Sequence, residues 1–520
     1  MQSIYVVIVL VILIVILIVI LIMLLVPRSI YIEERFTPTQ TKYELDNIIE
    51  YSDKLLTQDI INLKKGQTIM TNMLYEFDRI CRKHNIVYWC LGNTLIGSLR
   101  HRGWVPWDCD VDIGIVKSDY DKLKLIVDGE LPNYLIFQQD KSYKFCKIRN
   151  LLSHYKYTEW AKNRDQDDGL QLDIFIFDKR NDMLVPASGD NINIKTCKYD
   201  FIFPLKETVF EDIIVYIPNE YKMYCTEALG SYPSILLPKD KRYPQKGNIN
   251  PNKPSKKMLK IYKDKYTDKM SRPNKKHQGE INNSIIRNNF DNFEYSSQLS
   301  PDDIIHLKQG QIKMSNMLKV FDELCTKYKI RYFLIGGSLI GALLYKGWIP
   351  WDGDVDLEVN EEDYGILKKA LVNELPSDMW FQDNSTDKYY PSNNNIIGKM
   401  RDLSSCYIEY SSNTYGKEWH NGLQIDINIY KTKEDGTIYF PDDTKVTNLT
   451  VDDIYPLKRV PFENFSVTIM NNYEKYLTNK FGKEWFIVLP KEKRIAHEGK
   501  IDGMNTCDFH YTKYPHLHKK

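Results

Sequence analysis

The chain has 520 residues, 43% of them hydrophobic and 12% aromatic, which is enough for more than one full-sized core. Seventy Lys and Arg against 69 Asp and Glu leave a formal charge of +1, so no whole-protein field argues for nucleic acid as a partner and none is expected. Nine cysteines with no CxxC pair and no Cys/His spacing suited to zinc predict neither a disulfide framework nor a metal knuckle.

In chain order, residues 4–26 come first, reading IYVVIVLVILIVILIVILIMLLV without a charge, a Gly or a Pro. That length and apolarity predict a helix able to cross a bilayer, and the absence of a basic start and a small-residue cleavage site predicts that it is retained as a single-pass anchor. Arg28 and Arg35 after the span would leave the bulk of the chain cytoplasmic by the positive-inside tendency. An anchor before a catalytic body is also the plan of many lumenal sugar-processing enzymes. Orientation stays open, and an ER- or Golgi-type membrane fits if the chain is eukaryotic.

Beyond a polar stem the chain repeats itself. LKKGQTIMTNMLYEFDRICRKHNIVYW from Leu63 matches LKQGQIKMSNMLKVFDELCTKYKIRYF from Leu307. Met70, Met73, Leu74, Phe77, Ile80 and Cys81 share one helical face, as do Met314, Met317, Leu318, Phe321, Leu324 and Cys325, and both faces are predicted to be core. A short apolar strand then leads to LGNTLIGSLRHRGWVPWDCDVDI from Leu91, matched by IGGSLIGALLYKGWIPWDGDVDL from Ile335, with equal spacing from Gly92 to Asp110 and from Gly336 to Asp354. The order helix, strand, helix, strand, helix, further strands predicts an α/β (α+β) domain built on a small mixed β-sheet flanked by helices, present twice.

Strand alternation puts Asp110 and Asp112, and likewise Asp354 and Asp356, on one face. Adjacent carboxylates repel unless one is protonated or a cation lies between them, and Mg²⁺ (or Mn²⁺) is the expected occupant of such oxygens. A third acid, Asp173 in DGLQLDIFIF and Asp426 in NGLQIDINIY, lies in an apolar run where burial is costly without a partner. The expected partner is the same metal. Lys147 and Arg149 in KIRN, and Lys399 and Arg401 in KMRD, alternate so that both basic groups face one way and could meet phosphate. Gly92, Asn93 and Thr94, with Gly336, Gly337 and Ser338, would let main-chain N–H groups and a hydroxyl approach phosphate. Asp108 and Asp352 are either turn residues or further ligands. The predicted layout is an anchor over 1–27, a stem over 28–58, domains over 59–247 and 301–499, a Lys/Asn-rich linker over 248–300 and a tail over 500–520.

These motifs, in this order and twice over, resemble the LicD/fukutin family of phosphotransferases in the nucleotidyltransferase superfamily. The resemblance implies a metal-dependent enzyme that moves a phospho-alcohol, of phosphocholine or ribitol-phosphate type, from a CDP-activated donor to a glycan or glycolipid acceptor. It implies that Asp110, Asp112 and Asp173, and Asp354, Asp356 and Asp426, hold the metal and form the catalytic set, with Asp173 or a water accepting the acceptor's proton. Copy one keeps the family's Arg-His pair as Arg100 and His101, and Arg100 is counted with the phosphate-binding residues. Copy two has Leu344 and Tyr345 there. Two active sites, or one active and one binding domain, both fit, and a DxD glycosyltransferase or a non-catalytic scaffold are the other readings.

Overall fold

The computed structural model describes residues 51–139, 145–157, 169–189, 194–229, 237–244, 247–252, 293–390, 398–409, 420–441, 443–496 and 499–518. In the first domain, helix α1 (Thr57–Lys83) precedes strand β1 (Tyr88–Cys90), helix α2 (Gly92–Arg100), β2 (Val111–Val116) and helix α3 (Lys117–Glu130). β3 (Leu135–Gln139), β4 (Phe145–Asn150), β5 (His154–Tyr157), β6 (Gln171–Arg180), β7 (Met183–Pro186) and β8 (Cys197–Lys198) follow. A short helix (Tyr199–Ile202), a hairpin of β9 (Lys206–Phe210) and β10 (Ile213–Ile217), a helix over Tyr221–Leu229 and strand β11 (Gly247–Asn250), which pairs with β5, follow.

The second domain repeats this order with α4 (Pro301–Tyr328), β12 (Tyr332–Leu334), α5 (Gly336–Ile340), β13 (Val355–Asn360), α6 (Tyr364–Glu374), β14 (Met379–Gln382), β15 (Gly398–Asp402) and β16 (Cys406–Glu409). It continues with β17 (Gln424–Thr432), β18 (Ile438–Tyr439), the hairpin β19 (Lys458–Phe462) and β20 (Phe465–Ile469), α7 (Tyr473–Phe481), β21 (Gly499–Asp502) and α8 (Asp508–Lys513).

Local chemistry explains where the long helices start and what they bury. Ser300 caps α4, accepting from the Asp303 N–H at 3.2 Å and donating its own N–H to Asp303 Oδ2 at 3.0 Å, with Pro301 in the first turn. Met70, Met73, Leu74, Phe77, Ile80 and Cys81 are all fully buried, and the matching face of α4 is buried too, so each helix lies along its sheet by that stripe. The main sheets run β1-β2-β6-β4-β3 and β12-β13-β17-β15-β14. Only the central pairs, β2 with β6 and β13 with β17, are parallel. These strands are covered on both faces, which is why they read as nearly unbroken apolar runs interrupted by acids.

The two domains touch through the first hairpin. Val488 donates its N–H to the Glu207 carbonyl at 2.9 Å, and Arg102 stacks 3.9 Å over the Phe486 ring. The Glu207 carboxylate takes Arg82 from its own domain at 3.0 Å and Arg494 from the other.

Two expectations change. Among the described residues no helix is long and apolar enough to cross a membrane. The long helices α1 and α4 span 27 and 28 residues, but they are amphipathic and carry charges such as Lys64, Lys65 and Glu323 on the faces away from the core. The segment 4–26 lies outside the described residues. The described residues thus do not support the expected transmembrane helix in the fold, the membrane as a partner or the single-pass localisation. The cysteines also differ from expectation, since Cys406 and Cys507 form a disulfide across a sequence separation of 101. No short spacing announces that pair, because the fold brings it together. The core of the expected linker, residues 253–292, lies outside the described residues.

Candidate active site

Each site starts at the turn between a short strand and a helix. Gly92 has φ +49° and Gly336 φ +55°, in the left-handed region. A Cβ at Gly92 would stand 3.0 Å from Asp112 Oδ2, and one at Gly336 would stand 3.3 Å from Asp356 Oδ2. Backbone conformation and a close carboxylate thus both call for glycine. The next hydroxyl ties the turn to the acid strand: Thr94 Oγ1 accepts the Asp112 N–H at 2.9 Å, and Ser338 Oγ accepts that of Asp356 at 3.0 Å.

Strand register then delivers the third acid. On the parallel central pair Asp112 is directly opposite Asp173, and Asp356 is opposite Asp426. Oxygens of Asp110, Asp112 and Asp173 lie within 4.8 Å of one another, as do those of Asp354, Asp356 and Asp426. Asp108 and Asp352 are not in these groups. Asp108 accepts from Asn93 Nδ2 at 3.3 Å, and Asp352 Oδ1 takes the Gly353 N–H at 3.1 Å. Gly337 is small because a Cβ there would meet Asp352 Oδ2 at 2.5 Å.

The basic residues divide. Lys147 Nζ donates to Asp173 Oδ1 at 2.5 Å, and Lys399 Nζ reaches both oxygens of Asp426. Gln171 Nε2 holds the other Asp173 oxygen at 2.9 Å. Arg149 and Arg401 are buried and donate to neutral acceptors: Gln138 and the Gly169 carbonyl in one copy, Gln382, Gln424 and the Gly422 carbonyl in the other. Arg100 closes α2, where burial first and the neighbouring Arg242 second pull its guanidinium down to about 10. The corresponding Leu344 and Tyr345 are buried hydrophobics.

In each site three carboxylates converge with one lysine bound directly to the third, an acid-rich cluster of the kind a divalent ion neutralises. An all-oxygen donor set suits Mg²⁺ or Mn²⁺ better than a soft metal. The groups present therefore fit the expected cofactor.

Sequence reasoning passed over several positioning residues. Gln67 Nε2 donates to the carbonyls of Val105, Pro106 and Asp108, and Gln311 repeats this with Ile349, Pro350 and Asp352. Trp104 Nε1 donates to Thr71 Oγ1 at 2.9 Å and Trp348 Nε1 to Ser315 Oγ at 2.8 Å, so the long helices grip the loops that lead into the acids. A polar residue repeated in both copies inside an apolar stripe was the available signal. In copy two Lys480 also approaches the turn, 3.9 Å from where a Gly336 Cβ would lie.

The family described as LicD/FKTN/FKRP, nucleotidyltransferase domain, matches the chain twice, over residues 85–220 and 329–472. Lipopolysaccharide cholinephosphotransferase LicD of Haemophilus influenzae is 32% identical over 157 residues, 29% of this chain and 49% of that protein. Ribitol 5-phosphate transferase FKRP of Homo sapiens is 28% identical over 162 residues, 29% of this chain and 28% of that protein. Ribitol-5-phosphate transferase FKTN of Homo sapiens is 25% identical over 208 residues, 39% of this chain and 40% of that protein. The chain thus spans about half the length, or less, of these curated relatives. With both matched stretches carrying one acid just before a strand of a mixed sheet and a second on that strand, and together covering more than half of the sequence, the chain belongs to the LicD/FKTN/FKRP family of nucleotidyltransferase-fold enzymes, with two such domains in tandem.

Proposed function

We propose that this chain transfers a phospho-alcohol, of phosphocholine or ribitol-phosphate type, from a CDP-activated donor to a hydroxyl of a glycan or glycolipid. The relatives' names, a cholinephosphotransferase and ribitol 5-phosphate transferases, support the donor class. The observation that carries the reading is the acid triad at the glycine turn, with a lysine on its third member.

In this reading Asp110, Asp112 and Asp173 hold a divalent ion in the first domain, and Asp354, Asp356 and Asp426 hold one in the second. Bound Mg²⁺ or Mn²⁺ would neutralise the donor diphosphate and the charge that develops as it is cleaved. The acceptor oxygen forms a bond to the phosphorus bearing the alcohol, the bond from that phosphorus to the bridging oxygen breaks, and CMP leaves with the electron pair. Glycine at the turn lets the main chain approach the phosphates, and the Thr94 and Ser338 hydroxyls can donate to them while accepting from the strand. Lys147 and Lys399 donate to Asp173 and Asp426 and fix their orientation, and the acceptor's proton passes to Asp173 or Asp426 or to a water. Arg149 and Arg401 act as positioning residues that tie neighbouring strands together beside the acids.

Asp110→Asn and Asp354→Asn, made singly and together, test this by CMP release from a panel of CDP-alcohols and nucleotide sugars with glycan acceptors. The double variant is expected to lose at least ~100-fold in rate. Each single variant reports the share of its own domain. Transfer at the parent rate by the double variant would sink the assignment, and release of a nucleoside diphosphate from a nucleotide sugar would favour a glycosyltransferase.

A further inference from the structure

We propose that His420, His510 and His518 form a second metal site, distinct from the acid triads, for a transition-metal cation of the zinc class that clasps the 499–518 segment onto the second domain. Ligand nitrogens of the three histidines lie within 4.8 Å of one another. His420 and His510 are fully buried. His420 Nε2, His510 Nδ1 and His518 Nε2 are all shielded from solvent without a hydrogen-bond partner. Three orphaned imidazole nitrogens in one place are costly unless something binds them.

The surroundings favour a cation that prefers nitrogen. His510 Nε2 lies 2.7 Å from Asn421 Oδ1 and 3.1 Å from the Asn421 main-chain N–H, so one tautomer donates to the side-chain oxygen and the other accepts from the main chain; metal at Nδ1 would select the first, giving the outer hydrogen bond typical of a metal-bound histidine. His420 and His510 are both buried from solvent, a setting that favours the neutral imidazole that ligates metals. Arg401 opposes any cation here, which disfavours weakly held hard ions and leaves the stronger imidazole binders.

The rings are stacked, His420 on His510 with centroids 3.7 Å apart. Loading tilts them out of the stack, because two nitrogens on one tetrahedral zinc lie only about 3.3 Å apart. It also trades away the 3.2 Å contact from the Gly422 N–H to His420 Nδ1, which leaves the ring proton on Nε2. His420 lies in the segment that leads, through Asn421, Gly422 and Leu423, into the strand bearing Asp426, while His510 lies on α8, which the Cys406–Cys507 disulfide already ties to β16. Copy one has Asp167 at the position of His420, so the site belongs to the second domain alone.

The test is metal analysis of the purified full chain loaded with Zn²⁺, or with Co²⁺ for its visible absorption, and dialysed. Parent protein and the Asp354→Asn variant should each retain about one zinc per chain and show the intense Co²⁺ bands of tetrahedral nitrogen ligation. His510→Ala and His518→Ala should lose both signals. His518 is only partly buried, so its variant keeps the test informative if His510→Ala fails to fold. Chelation should also make residues 499–518 more sensitive to protease in the parent but not in His518→Ala. Retention of zinc by His518→Ala, loss of it in Asp354→Asn, or no Zn²⁺ or Co²⁺ uptake by the parent would each overturn the proposal.

Discussion

Lys399 donates to both carboxylate oxygens of Asp426, at 2.7 and 2.8 Å, from the position directly opposite it on the neighbouring strand. The ammonium therefore competes with any divalent ion for the third acid of its site. Lys399→Met should raise Mn²⁺ affinity at that site by about tenfold, equivalent to ~1.4 kcal/mol, and should lower transfer by the second domain because Asp426 loses the group that orients it. Titration of Mn²⁺ by electron paramagnetic resonance checks the first effect. Weaker Mn²⁺ binding would mean that the lysine organises the acids instead of competing for them.

The glycine turns predict a steric lesion confined to the site. Gly92→Ala and Gly336→Ala each combine a left-handed backbone with a Cβ pressed against Asp112 or Asp356. The backbone cost is about 1–2 kcal/mol, which a domain of this size can absorb. Activity of the affected domain is expected to fall by ~100-fold or more with near-UV circular dichroism unchanged. An active Gly92→Ala enzyme would separate the turn from the chemistry.

Gln67 and Gln311 predict a stability effect that a surface reading would miss. Replacing Gln67 by Leu removes the donor shared by the Val105, Pro106 and Asp108 carbonyls. A destabilisation of about 2 kcal/mol follows from leaving such buried groups unpaired. Denaturant unfolding measures it, and Gln311→Leu should behave alike in the second domain.

Glu130 predicts an acid-sensitive contact. Hydrogen bonds first from Lys83 and then from His84 hold its carboxyl at about 2, below its ordinary 4.5. A carboxyl depressed in the folded state contributes stability that is present above about pH 4.5 and is lost as pH falls towards 2. Glu130→Gln should therefore lower the thermal midpoint near neutrality, and the gap from the parent should close over that acid range. A gap independent of pH would exclude titration of Glu130 as its origin.

Periodicity is local, so the sequence by itself determined the tandem repeat, the buried stripes of α1 and α4, and the family; Asp110 and Asp112 do come close, but Asp110 lies just before β2, so strand alternation is not what brings it there. That Asp173 faces Asp112 depends on a parallel pairing between strands far apart in the chain, which alternation only suggests. The same limit explains the basic motif. Lys147 and Arg149 share a strand face in the sequence, yet only packing decided that the lysine meets an acid while the arginine goes to Gln138 and a main-chain carbonyl. Gln67, the Cys406–Cys507 bridge and the histidines at 420, 510 and 518 carry no short spacing. Their meaning arises from tertiary proximity, because hydrogen bonds, disulfides and metal ligation all act over a few ångströms of space, whatever the separation along the chain.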